Sequence, residues 1–253
     1  MTLPLTQLGT TRSIVKPNYA FIAPDGHVAN PIPGWRNTDG ITLISPRMGA
    51  QFHQFLARMG QNSESGEPLA GVERFVYVVE GKVELVSSGQ SANLQADDFA
   101  YLPANTAHGL RSKQGAVLNV YEKPYQPHAD AGPPEMHMGR AQDVAGEDFL
   151  GNPNLQVRKL LPDSLSLDMA VNTMTFKPGT PLPFVETHVM EHGMLMLRGA
   201  GIYKLEQDWY PITQGDVLWM GPYCPQWFAA IGEEEACYLL YKDVNRDPLH
   251  ESA

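Results

Sequence analysis

The chain repeats itself, and this limits its fold more than any other feature. Arg74 and His192, Gly81 and Gly199, Asp98 and Asp216, and His108 and Gln226 are each separated by the same 118 positions. Beyond them the offset becomes 120, as in Ala116 with Ala236 and Tyr121 with Tyr241, which a two-residue loop insertion produces. A constant register through glycines, turn residues and apolar runs marks a duplicated structural unit. The unit is β. Prolines and glycines, 21 and 23 of the 253 residues, separate short runs such as "FVYVVEGKVELVS", "DDFAYLPA", "AVLNVYEK", "GDVLWMG" and "ACYLLYKD". Many short strands between turns have this pattern, and helical periodicity is weak throughout. Gly81 reads as a turn.

The expected fold is therefore all-β, with two domains of about 80 to 100 residues each. Residues 45–126 hold the first copy and 161–253 the second. Residues 127–160 read as a linker, because "PYQPHADAGPPEMHMGRAQDVAGED" is rich in Pro, Gly and Ala. Residues 1–44 precede the first copy. Their segments "SIVKPNYAFIAP" and "ITLIS" read as strands able to cover an edge of either sheet.

Composition narrows the function. An apolar fraction of 43% supplies a substantial core. A net charge of -10 without a basic block disfavours nucleic acid and anionic membranes as partners. No apolar stretch has signal-peptide or membrane-spanning length. Cys224 and Cys237 are too few for a disulfide framework and lack the spacing of a structural zinc site. The expectation is a cytoplasmic protein.

The stretch "FVETHVMEHG", Phe184 to Gly193, concentrates the polar chemistry. In an extended chain Glu186 and His188 share a face, because side chains alternate with a period of two. The turn through Glu191, His192 and Gly193 brings in a third side chain, and a fourth must come from another strand. A carboxylate with two imidazoles suits Mn, Fe, Ni or Zn, and the lack of a thiolate leans away from structural zinc. The competing reading is a solvated strand edge, which the duplication makes less attractive.

The repeat resembles the cupins, double-stranded β-helix barrels of jelly-roll type whose two motifs place four ligands on one metal. In "ETHVMEHGMLMLRG", Glu186 stands at the first His place, His188 at the second and His192 at the Glu place, and Gly199 closes the motif. In "GDVLWMGPYCPQ", Gly215 opens the second motif, Gly221-Pro222-Tyr223 replaces Pro-x-Gly, and Gln226 takes the last His place. The resemblance thus implies two tandem cupin barrels, a bicupin, with Glu186, His188, His192 and Gln226 as metal ligands. In the first copy Pro68, Ala70 and Arg74 occupy three of these places and only His108 faces Gln226. That barrel is expected to be metal-free and structural, with His108 a hydrogen-bonded core or rim residue.

Among cupins the quartet with a Gln is similar to that of the ureidoglycine aminohydrolase family. The stretches "IVKPNYAFIAPDGHVANPIPGW", "GAGIYKLEQDWYPITQGD" and "YKDVNRD" resemble that family as well. The resemblance implies manganese as cofactor, hydrolysis of (S)-ureidoglycine to (S)-ureidoglycolate and ammonia in purine and allantoin breakdown, and a pocket lined by Tyr203, Tyr238 and Lys242. Alternation along "ACYLLYKD" puts Tyr238 and Lys242 on one face. Lys242 either anchors the substrate carboxylate or moves protons. A homo-oligomer is expected, as bicupins associate through strand edges and barrel faces. Two alternatives stay open, a cupin dioxygenase or sugar isomerase, and a non-catalytic bicupin that binds a small molecule. Of the remaining polar residues, Cys224 reads as a buried thiol and Glu191 as pointing away from Glu186 and His188. His53, His128 and His137 read as surface residues, whereas Met194 and Met196 fill the barrel.

Overall fold

The computed structural model describes residues 11–87, 89–247 and 249. Strands carry the architecture, and among the described residues the helical elements are 3-10 turns of three residues each. None of them is long and apolar enough to cross a membrane. Strands Arg36–Ile44, His53–Glu64, Val72–Ser87, Asp98–Leu102 and Ala116–Pro124 build the first sheet, and Gln90–Gln95 and His108–Ser112 close on it. Met169–Phe176, His192–Arg198, Val217–Met220 and Ala236–Asp243 lie in the second sheet. Ala200–Leu205, Asp208–Thr213 and Gln226–Ile231 form a separate three-stranded sheet. Each copy has its own apolar interior, with Val76, Leu85 and Leu118 in the first. Met194, Met196 and Phe228 occupy the second.

The two copies exchange their opening strands. Tyr19–Ile22 pairs with Val217–Met220 of the second sheet. His137–Arg140, within the segment expected to link the copies, pairs with Asp98–Leu102 of the first. Each added strand covers backbone groups that would otherwise form an open edge. Ion pairs repeat the arrangement: Arg12 meets Asp216 at 2.8 Å and Arg140 meets Asp98 at 3.0 Å. The 127–160 segment also carries strands Glu147–Asp148 and Leu155–Lys159, which join the second sheet.

Gly81 does not make a turn. Val72–Ser87 runs through it as one strand, and the ladder to Ala116–Pro124 shifts register between Val117 and Leu118. Gly81 has φ +80°, and a Cβ there would lie 2.4 Å from the Gly115 carbonyl oxygen. Its counterpart Gly199, φ +75°, would meet the Glu235 oxygen at 2.5 Å. The duplicated glycine is a bulge position where only a residue without Cβ fits.

A third apolar cluster joins the two barrels, and it includes Phe52, Tyr121, Leu195, Trp219 and Tyr241. Tyr121 and Tyr241, equivalent in the duplication, stack at 5.3 Å, while Phe52 packs on Tyr241 at 4.1 Å. Burial of each such side chain stabilises the contact by about 1.5–3 kcal/mol. Phe52 also lies where a Cβ on Gly193 would be, 2.5 Å from its Cζ, and Tyr121 donates its hydroxyl hydrogen to the Gly193 carbonyl at 3.1 Å. The first barrel thus braces the residue that follows His192.

Candidate metal centre and its cavity

Two elements bring the polar residues together. Residues 180–186 run beside Gln226–Ile231 without forming a regular strand, since Pro181 and Pro183 interrupt the ladder. At the end of this run Glu186 and Gln226 exchange backbone hydrogen bonds of 2.8 and 2.9 Å. The chain then turns through His188 to His192, the first residue of His192–Arg198. Tyr223 donates its backbone N–H to the His188 carbonyl at 2.7 Å and fixes the turn from the opposite side.

His188 and His192 meet at their Nε2 atoms, 3.1 Å apart, and the Gln226 amide lies 3.1 Å from the same His188 nitrogen. The Nδ1 of His188 faces the Met190 carbonyl at 3.1 Å, so Nδ1 carries the proton and Nε2 keeps its lone pair. Burial lowers the pKa of both imidazoles, and for His192 the neighbouring His188 and Lys242 add to the effect. Burial thus favours the neutral form of both rings, the form that metal ligation requires.

The donor set fits a divalent ion. Two nitrogens held about 2.1 Å from one ion at a right angle lie about 3.0 Å apart, close to the observed spacing. The Gln226 amide presents its nitrogen to His188, while its oxygen accepts a hydrogen bond from the Tyr203 hydroxyl at 3.2 Å. Turning the amide over offers the oxygen to an ion and the NH2 to Tyr203, which accepts as readily as it donates. Among the described residues no three His, Cys, Asp or Glu side chains cluster as metal ligands, so Glu186 stands apart from the imidazole pair. It lines the same cavity, of about 300 Å³, together with His188, His192, Asn172, Met174 and Lys242. Burial raises the Glu186 carboxyl above its ordinary value, and Lys242 partly offsets this.

The three residues expected beside the metal separate. Lys242 is half-buried on the cavity wall and, among the described residues, forms no ion pair. Tyr203 is buried and holds Gln226. Tyr238 shares the face of Lys242 and Leu240, but it lies deeper, with its hydroxyl 3.4 Å from the Met174 sulfur and its ring against Phe176 and Phe228. Alternation gives the face of a strand residue and not its depth. Sequence reasoning missed Met174 and Asn172, whose strand carries no motif. It also missed His53, expected at the surface, which is half-buried and stacks on Phe55 at 4.9 Å. Cys224 is a buried thiol whose pKa burial pushes up to about 11. Glu191 does point away from the imidazoles, but into the interior between the barrels. There its carboxylate accepts the indole N–H of Trp219 at 3.1 Å.

The family model of the cupin domain matches residues 56–121. The (S)-ureidoglycine aminohydrolase of Arabidopsis thaliana is 43% identical over 247 residues, 95% of this chain and 80% of that protein. That of Escherichia coli K12 is 33% identical over 242 residues, 93% of this chain and 92% of the other. A solved structure of a putative glyoxylate-induced protein from Pseudomonas aeruginosa superposes with a TM-score of 0.87 at 31% identity. It covers 94% of this chain and 92% of its own. By its fold, its duplicated barrels and this extent of identity, the chain belongs to the (S)-ureidoglycine aminohydrolase family of cupins.

Proposed function

We propose that the protein hydrolyses (S)-ureidoglycine to (S)-ureidoglycolate and ammonia in purine and allantoin catabolism. The observation that carries this reading is the convergence of His188 and His192 Nε2 on the wall that also holds Lys242, in a chain 43% identical to an aminohydrolase of that name. His188, His192 and Gln226 would hold the ion, with Glu186 as the carboxylate of the set. Manganese is the ion that the family resemblance implies. When bound, a divalent ion supplies Lewis acidity and orients a water molecule.

The protein side chains do the rest. The substrate carbon bears an amine, a ureido nitrogen, a hydrogen and a carboxylate. In the reaction the bond to the amine breaks, a bond to the water oxygen forms, and a water proton leaves with the amine as ammonia. Lys242, which forms no ion pair among the described residues, lines the cavity and anchors the carboxylate, which directs the amine and the ureido group to opposite sides. Tyr203 fixes the Gln226 amide from behind. Leu240 and Met174, with Phe149, Val157 and Met190, form an apolar part of the wall and limit the access of bulk water. Buried Cys224 and Cys237 are free thiols, in keeping with a reducing cytoplasm. Association into a homo-oligomer belongs to the same proposal.

The test is incubation of manganese-loaded protein with freshly generated ureidoglycine without oxygen, following ammonia and the chirality of ureidoglycolate. Release of ammonia with one enantiomer supports the reading. Absence of turnover, or a requirement for oxygen, sinks it.

A further inference from the structure

The first barrel contains a cavity at the place that the candidate metal centre occupies in the second. It measures about 620 Å³. Its lining corresponds position by position to that of the other cavity: Thr42 to Lys159, Phe55 to Asn172, Arg74 to His192 and Glu122 to Lys242. Strand pairing fixes the correspondence, since Asn30 opposite Gly40 in the first copy matches Glu147 opposite Val157 in the second. Duplication has kept the pocket and replaced its chemistry.

Arg74 is 4% exposed and places both Nε and Nη2 on one oxygen of Glu122, Oε1, at 2.7 Å. Its Nη1 donates to His108 Nε2 at 2.9 Å, and His108 Nδ1 donates to the Thr106 carbonyl at 2.8 Å. The pairing engages Glu122 through Oε1, and both the guanidinium and the carboxylate line the cavity. A donor edge thus adjoins an acceptor edge. Trp35 lies under the guanidinium at 5.5 Å, and His53 stacks on Phe55. Trp35, His53 and Phe55 give the cavity flat aromatic surfaces. Arg74 and Glu122 cancel in charge, so a carboxylate gains little from the guanidinium and is repelled by Glu122. The complement of a donor next to an acceptor is the C(=O)–N–H edge of a ureide or lactam.

We propose that the first barrel is a second, metal-free binding pocket for a flat, uncharged ureide or lactam, recognised by Arg74 and Glu122 and packed against Trp35 and His53. The inference does not depend on the reaction of the other barrel. It is tested by calorimetric titration of the metal-loaded full chain with hydantoin, a neutral cyclic ureide, and with glycolate as the anionic comparison. Hydantoin gives saturable heat, and Lys242→Met in the other cavity leaves its affinity unchanged. Glu122→Gln replaces a carboxylate oxygen by an NH2 donor, which weakens hydantoin about tenfold and turns the preference towards glycolate. Trp35→Leu weakens hydantoin without that reversal, and covers the case in which Glu122→Gln fails to fold. Absence of hydantoin binding, or binding unchanged in Trp35→Leu and in folded Glu122→Gln, overturns the proposal.

Discussion

Glu191 belongs to the second barrel, yet its carboxylate accepts the backbone N–H of Gln51 in the first at 2.8 Å. It precedes His192, so this bond ties the position of a candidate ligand to the neighbouring barrel. Glu191→Ala leaves the Gln51 N–H and the Trp219 indole without an acceptor, at a cost of about 1–3 kcal/mol for each group. The melting temperature is expected to fall by several degrees and metal affinity to fall with it, whereas Glu191→Gln retains an acceptor and most of both. Calorimetric melting with elemental analysis checks this. A Glu191→Ala protein with parental melting and metal content would mean that the first barrel does not brace the site.

Metal content follows from the unequal copies. Purified protein is expected to carry about one divalent ion per chain, because Arg74 and His108 replace His192 and Gln226 in the first barrel. His188→Ala or His192→Ala abolishes retention. Gln226→Ala weakens it less, since a neutral amide oxygen is the poorest donor of the set. Two ions per chain by elemental analysis, or full occupancy in the double His variant, rules the assignment out.

The repeat made much of this legible. One offset through Gly81 and Gly199 exposed the duplicated β unit and aligned His192 with Arg74, which is the basis for expecting no metal in the first copy. The strand exchange could not, because "YAFI" at Tyr19–Ile22 and "HMGR" at His137–Arg140 occupy matching edges with no residue in common. What the two strands share is backbone hydrogen bonding to the matching edge, and backbone bonding leaves little trace in side-chain identity. Nor could alternation reveal that Tyr238 lies behind Met174, or that Glu191 finds its partner in another barrel. Such facts depend on packing between distant segments.

A buried cluster between the barrels predicts how stability varies with pH. Glu73 and Asp168 are both fully buried, Tyr101 donates to Glu73 at 2.5 Å, and Lys123 pairs with Asp168 at 2.9 Å. Burial raises the Glu73 carboxyl well above the ordinary range, and the neighbouring Asp168 carboxylate raises it further. Folded Glu73 therefore keeps its proton where the unfolded chain, with a pKa of about 4.3, has lost it. The native state binds more protons in this window, so stability falls as pH rises, by at most about 1.4 kcal/mol per pH unit from this group. Urea unfolding between about pH 5 and about pH 8 should show a downward slope that Glu73→Gln flattens. An identical slope in the variant would place the titration elsewhere.

The sharpest prediction concerns Lys242. It sits half-buried on the cavity wall, opposite a strand residue that is itself a candidate ligand, since His192 and Lys242 are paired in the sheet. Among the described residues Lys242 forms no ion pair, and from the cavity wall that it shares with Glu186 it can meet the substrate carboxylate. If anchoring is its task, Lys242→Met keeps fold and metal but lowers kcat/KM by about a hundredfold, because the aminal carbon is no longer aligned with the water. Lys242→Arg retains the charge and most of the activity, with the change mainly in KM. If Lys242 instead passes protons, the arginine cannot replace it, and kcat collapses in both variants while KM changes little. Steady-state kinetics on metal-replete variants separates the roles. A Lys242→Met protein that turns over ureidoglycine at the parental rate would make the residue a solvated strand-end lysine, without a part in the reaction.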